Sequence, residues 1–261
     1  MTDNAWRPDA ATVIGAGAGI GRAVALEFAS RGRAVIALSR NGDNLTGLQD
    51  EADRRSAVLR TVQCDVTEPD QFRKVLSSAT SPIVLHTAGS ALPIGPIWQC
   101  DPAVAMQSLS SMVLSSWLTA QACLEQLLAR GSGIVLLASS GAASKAAPAR
   151  STYSMSKAAV DQLVRVVGAE LRLVSADVGI AAFYPGMVDT GMQQQVREAA
   201  EPFRSGPFGA ELSPFLHAAQ AGTLVPAEVV ARHLADLAAR PPGELNGKIW
   251  RLREGEWLPH E

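Results

Sequence analysis

The chain has 261 residues, 47% apolar and 18% charged, and a formal net charge of -2, so it can bury a large core and is not an intrinsically disordered segment. The balanced charge, without any block of one sign, leaves no electrostatic footprint for nucleic acid or an anionic membrane surface. Cys64, Cys100 and Cys123 are too few, odd in number and too widely spaced for a disulfide framework or a CxxC metal site; with no secretory h-region and no apolar stretch near the length of about 18 residues that a membrane span needs, the expectation is a cytoplasmic protein.

The first apolar run, Ala11 to Ile14, leads directly into Gly15-Ala16-Gly17-Ala18-Gly19-Ile20-Gly21 and a helical pattern over Ile20 to Arg31. Glycines between a strand and a helix permit a tight turn, let the backbone approach a pyrophosphate, and let helix and strand pack closely, with the helix N-terminal N–H groups aimed at the anion. A second run, Ala34 to Ser39, ends at Ser39 and Arg40, where an NAD-binding fold places an acidic residue on the ribose. Arg40 instead suits a 2'-phosphate, which favours NADP over NAD, unless it simply ends a strand at the surface. After a helical pattern over Asn41 to Ser56 and a run from Val58 to Cys64 come Asp65 and Val66; Asp65 either accepts from the adenine amino group or caps the helix beginning near Glu68.

Helix Glu68 to Ala79 and strand Ile83 to His86 precede a Pro-rich loop, Leu92 to Pro96, and the longest helical stretch, Asp101 to Arg130, which Asp101-Pro102 caps and starts. Strand Ile134 to Ala138 delivers Ser140 to the sheet edge where ligands bind in open α/β folds, placed to hydrogen-bond a carbonyl oxygen. On the next helix, Ser151 to Ser175, Tyr153 and Lys157 are one turn apart on one face. That spacing has chemical use: a phenol with a pKa of about 10 is a poor acid or base at neutral pH, and a neighbouring ammonium favours the phenolate. Strand Gly179 to Tyr184 is followed by an excursion, about residues 187 to 225, with the character of an active-site lid and with Phe203, Phe208 and Phe215 in it; helix Pro226 to Ala239 and strand Lys248 to Leu252 close the pattern. Seven strands apolar on both faces, alternating with helices, predict one doubly wound, Rossmann-type α/β domain with a seven-stranded parallel sheet.

These motifs resemble the short-chain dehydrogenase/reductase family over nearly the whole chain. Ile14 to Gly21 matches its TGxxxGxG, Thr87-Ala88-Gly89 the end of its NNAG, Tyr153 and Lys157 its YxxxK with Ser140 upstream, and Pro185-Gly186 with Thr190 its PGxxxT. The resemblance implies reduction of a carbonyl: Tyr153 gives or takes the proton, Lys157 lowers its pKa and binds the nicotinamide ribose, and Ser140 orients the carbonyl. The cofactor would lie along Gly15, Gly17, Gly19, Ile20, Gly21, Ser39, Arg40, Asp65, Val66, Ala88 and Gly89, with Pro185, Gly186, Val188 and Thr190 at the nicotinamide end. It also implies a small carbonyl or alcohol substrate and a homodimer or homotetramer paired through the two long helices.

Two departures stand out. His86-Thr87 replaces the paired asparagines of NNAG, putting the usual side-chain bridge to the neighbouring strand at issue. The asparagine that anchors a relay water on the long fourth helix is replaced by Ser111 or Met112, with Ser110, Ser115 and Ser116 as other candidates to hold that water. Such changes are what a dinucleotide-binding sensor without turnover would carry; such a sensor usually loses the Tyr-Lys pair, which this chain keeps. Locally, Pro185 to Gln193 with Arg197 resembles the sepiapterin and benzil reductase branch, but Arg251 stands where a pterin-binding aspartate would, pointing to a ketone or 1,2-diketone. His86, His217, His233 and His260 have no metal-ligand spacing, so no metal is expected.

Overall fold

The computed structural model describes residues 6–260. Strands β1 (Ala10–Ile14), β2 (Ala34–Ser39) and β3 (Leu59–Gln63) alternate with helices α1 (Gly19–Ser30), α2 (Gly42–Arg54) and α3 (Pro69–Ala79), and β4 (Ile83–His86) follows. Helix α4 (Pro102–Leu109) passes through a π-helical segment, Ser110–Leu114, into α5 (Ser115–Arg130); β5 (Gly133–Ala138), α6 (Ser151–Arg172) and β6 (Val178–Tyr184) come next. The excursion after β6 holds β7 (Val188–Asp189), α7 (Gly191–Ala200), α8 (Gly209–His217) and β8 (Val225–Pro226). The remaining elements are α9 (Ala227–Leu237), α10 (Pro242–Leu245), β9 (Ile249–Arg253) and β10 (Glu256–His260).

The main sheet runs β3-β2-β1-β4-β5-β6-β9-β10, parallel except for the final antiparallel pair. The expected seven parallel strands are all present, and an eighth, β10, corrects the count. It returns along β9 through Glu254 and Gly255, both at positive φ (50° and 84°), as a two-residue primed hairpin turn requires. Each strand of the interior is apolar on both faces because helices cover both. On one side α1, α2 and α9 bury Val24, Phe28, Leu48, Val230 and Leu234; on the other α3, α5 and α6 bury Phe72, Leu76, Leu127 and Val164. Each such side chain contributes about 1.5–3 kcal/mol by leaving water.

At the helix ends, Asp101-Pro102 acts as read, and two further caps join it. Asp101 accepts a hydrogen bond from Ala103 N at 2.8 Å with Pro102 in the first turn, Asn41 accepts from Asn44 N at 2.9 Å, and Gly131 ends α5 at φ 87°. Strand order reverses between β1 and β4, so a crevice opens at their C-terminal ends, and the glycine turn and Thr87 stand on its two sides. Among the described residues no helix is long and apolar enough to cross a membrane.

Candidate active site

A cleft of about 470 Å³ opens at that crevice. Gly15, Gly17, Gly19, Ile20, Gly21, Ser39, Arg40, Ala88, Gly89, Ser140, Tyr153, Lys157, Pro185, Gly186, Val188 and Thr190 line it, so nearly all the residues picked from the sequence converge there. Asp65 and Val66 are not among the lining residues. Asp65 Oδ1 accepts from the backbone N–H and the hydroxyl of Thr67 (2.9 and 2.7 Å), a local turn ahead of α3, while Oδ2 lies 3.9 Å from the Arg40 guanidinium. Sequence reasoning missed other lining residues, among them Asn44 on the first turn of α2 and Gln193 on α7.

The glycine turn is shaped by close approach. A Cβ on Gly15, which sits at φ 88°, would fall 2.7 Å from Ala88 N and Thr87 Oγ1, and one on Gly17 would overlap the Ser39 hydroxyl. Helix α1 starts at Ala18 with no side-chain cap and no acidic residue in its first turn, leaving its N–H groups directed into the cleft. A space where side chains do not fit, closed by unpaired N–H donors, suits a pyrophosphate.

Thr87 resolves the first departure from the resembled family. Its backbone N–H and its hydroxyl both donate to Ile14 O (2.8 and 3.0 Å), so the β4–β1 bridge is rebuilt by a threonine. His86 is buried, with Nε2 2.9 Å from Ser115 Oγ, and Ser115 donates to Ser111 O at 2.8 Å. Ser111 and Ser116 donate to Ser108 O and Met112 O (3.0 and 2.6 Å), and Met112 packs beneath Gly89. The hydroxyl protons of Ser111, Ser115 and Ser116 are thus committed within their own helices, and Met112 is an apolar plug rather than a water anchor.

Burial, helped by the charge on Lys157, pushes the His86 pKa from 6.5 down to about 3. Folded His86 therefore stays neutral while an unfolded histidine takes up a proton below about pH 6.5. Its share of stability is complete above that pH and is lost as the pH falls towards 3, at about 1.4 kcal/mol per unit. His86→Asn is expected to flatten the urea-denaturation stability between pH 6.5 and 4.5 by this one-proton slope; an unchanged slope would show that other groups set the acid limit.

At the catalytic end, the Lys157 ammonium donates to Ala138 O at 2.8 Å and lies 5.5 Å from the centre of the Tyr153 ring. Ser140 accepts from Ala142 N at 3.3 Å, which fixes its hydroxyl oxygen at the end of β5. Behind it, Ser139 donates to buried Asp161, whose pKa burial raises while the Ser139 hydrogen bond opposes the shift. Tyr184 presses its hydroxyl against Gly141, and Arg251 lies over the Tyr184 ring at 4.9 Å.

One unforeseen residue stands beside these. Arg150, immediately before α6, is 8% exposed, and its guanidinium carbon lies 4.5 Å from the Tyr153 ring centre and 4.4 Å from that of Phe215. Its position three residues before Tyr153, one helical turn away, was the available signal. Ala149, just ahead of it, is held at φ 63°, a strained conformation for alanine.

Residues 9–201 match the family model described as short chain dehydrogenase. The chain is 31% identical to the "Dehydrogenase/reductase SDR family member 6" of Aquarana catesbeiana over 94% of its own length and 96% of that protein. It is 32% identical to the 2-keto-3-deoxy-L-fuconate dehydrogenase of Xanthomonas campestris pv. campestris over 68% of its length and 58% of that protein. Among solved structures, an actinorhodin polyketide ketoreductase with NADPH superposes with a TM-score of 0.82 at 19% identity, covering 95% of this chain and 97% of that one.

Proposed function

The chain belongs to the short chain dehydrogenase family, and from that premise we propose that it is an NADP(H)-dependent carbonyl reductase, acting on a small ketone or diketone and the corresponding alcohol. The observation that carries this reading is the convergence of Tyr153, Lys157 and Ser140 on the cleft that the glycine turn closes. The uncapped start of α1 and the glycines whose Cβ positions are already filled fit a dinucleotide pyrophosphate. Arg40, its side chain 70% exposed with no closer carboxylate than Asp65 at 3.9 Å, is free to meet a 2'-phosphate. Among the proteins compared, the ketoreductase is one solved with NADPH, and the Xanthomonas relative is named for a keto acid.

When bound, the nicotinamide supplies or accepts hydride. Tyr153 holds the proton that the carbonyl oxygen receives, and Lys157, beside the ring, makes the phenolate left behind less costly. Ser140, anchored by Ala142 N, offers its hydroxyl to the same oxygen as charge develops. The 187–225 excursion acts as a lid in this reading: Val196, Leu212 and Leu216 pack with Phe203, Phe208 and Phe215 over Ile94 and Tyr153, shielding the reacting oxygen from water. The stretch from Pro185 to Arg197, which resembles the sepiapterin and benzil reductases, supports 1,2-diketones as first substrates; the relatives named above carry other names.

We also infer a homodimer or homotetramer, supported by the exposed Met106 on α4, Leu114 in the π-helical segment, Trp117 on α5, and Met155 and Val166 on α6. Cys64, Cys100 and Cys123 are all free thiols, which suits a cytoplasmic setting.

The test is loss of nicotinamide absorbance with NADPH or NADH and a panel of diketones and ketones, alongside Arg40→Ala. Turnover with NADPH is expected, with the variant's KM for NADPH raised about 10-fold and its KM for NADH little changed. Equal changes for both nucleotides would remove the 2'-phosphate role. Tight NADPH binding without consumption across the panel would favour a sensor instead.

A further inference from the structure

We propose that Arg150 anchors an anionic group of the substrate, so that the carbonyl compound reduced here is an oxo acid with its carboxylate one or two carbons from the reacting carbonyl. This rests on the carbonyl-reductase reading and names the substrate class within it. Arginine is almost never buried without a partner, because an unpaired charge out of water is costly. Yet Arg150 is 8% exposed, its Nε is buried with no hydrogen-bond partner, and among the described residues no carboxylate lies within ion-pair distance.

The surroundings say what is missing. The guanidinium is stacked between the rings of Tyr153 and Phe215, which satisfies its faces and leaves the in-plane Nε–H without a partner. Burial lowers its pKa, and the groups opposing that shift are Tyr153, by charge and a side-chain hydrogen bond, and Tyr184, with no carboxylate among them. A second cation, Arg251, lies over Tyr184, and among the described residues no carboxylate is within ion-pair distance of it, so it adds positive charge to this end of the site.

The cofactor does not neutralise it either. Its phosphates belong at the glycine turn and Arg40, on the far side of the cleft, and Arg150 is outside the residues that line that cleft. Arg150 instead touches the Tyr153 ring that delivers the proton and the phenylalanine that α8 brings down over it. A planar carboxylate accepting two N–H bonds from this fork would place its neighbouring carbonyl beside the Tyr153 hydroxyl. The strained Ala149 backbone holds the arginine in that position.

The probes are 2-oxohexanoate and 3-oxohexanoate with their methyl esters, compared by kcat/KM with NADPH, and by calorimetry with the matching hydroxy acids and hydroxy esters on NADP-loaded protein. One acid is expected to be favoured over its ester by about 10- to 100-fold, in both rate and binding, the range of a charge-assisted bidentate contact. Arg150→Met should collapse that acid-to-ester ratio to near one, and Arg150→Lys should restore part of it. Esters equal to or better than acids in the unaltered enzyme overturn the proposal without touching the reductase reading. So does equal loss for acid and ester in Arg150→Met with a raised pH optimum, which would make Arg150 a residue that only tunes Tyr153. Calorimetry detecting neither acid nor ester also overturns it, while diketone turnover is judged separately.

Discussion

Tyr153→Phe is expected to lower kcat for NADPH-dependent reduction by about 10³-fold, within the range that one positioned general acid supplies. The ionisable side chains lining the cleft are Arg40, Tyr153 and Lys157, and the lysine is already held by Ala138 O. No other cleft residue is placed to deliver the proton when the tyrosine hydroxyl is gone. The phenylalanine ring keeps the packing of Tyr153 against the apolar cluster of the excursion and against the Arg150 guanidinium, so thermal stability and NADPH affinity should change little. Measured kcat above a tenth of the parent value would remove Tyr153 from the role of acid.

Gly21→Ala should be nearly as damaging by a different route. The added methyl would overlap Gly15 O and fall 2.6 Å from Thr87 Oγ1, so β1 and α1 must separate and the threonine bridge to Ile14 must give way. Overpacking of this kind costs about 1–3 kcal/mol, enough to lower Tm by several degrees in a chain of this size. NADPH affinity should fall about 30-fold or more, because the displaced helix start no longer aims its N–H groups at the pyrophosphate. Gly47→Ala in α2, where an added Cβ meets nothing within 4 Å, is the control. Indistinguishable Tm and NADPH affinity for the two variants would show that the glycine turn is not as tight as drawn.

The parts of this protein that were legible in its sequence are those with local causes. Each buried parallel strand announces itself as an apolar run, and Gly15 to Gly21, Ser140, Tyr153 and Lys157 each sit at a turn, strand end or helical spacing with a chemical reason. Strand β10 was not legible: its five residues include Pro259, and its turn uses Glu254-Gly255 in place of the Asn-Gly or Asp-Gly that marks a hairpin. The π-helical segment at Ser110–Leu114 shifts the helical phase without any breaker residue, so the stretch reads as one continuous helix. Asp65 turns one carboxylate oxygen to the local Thr67 turn and the other towards Arg40, a division that its place after a strand does not announce. Arg150 was invisible for a tertiary reason: Phe215, which completes its stack, arrives from a distant helix of the excursion.

The late strand β10 also decides how the sheet ends. Without it, β9 would present a bare row of N–H and C=O groups, a template on which another chain can be laid down. The outermost strand instead carries Pro259, which has no N–H to offer, and charged Glu256; at the opposite border, β3 exposes Arg60 and Gln63. Both borders therefore resist edge-to-edge growth into fibrils, so that crowding of newly made chains is steered away from cross-strand aggregation.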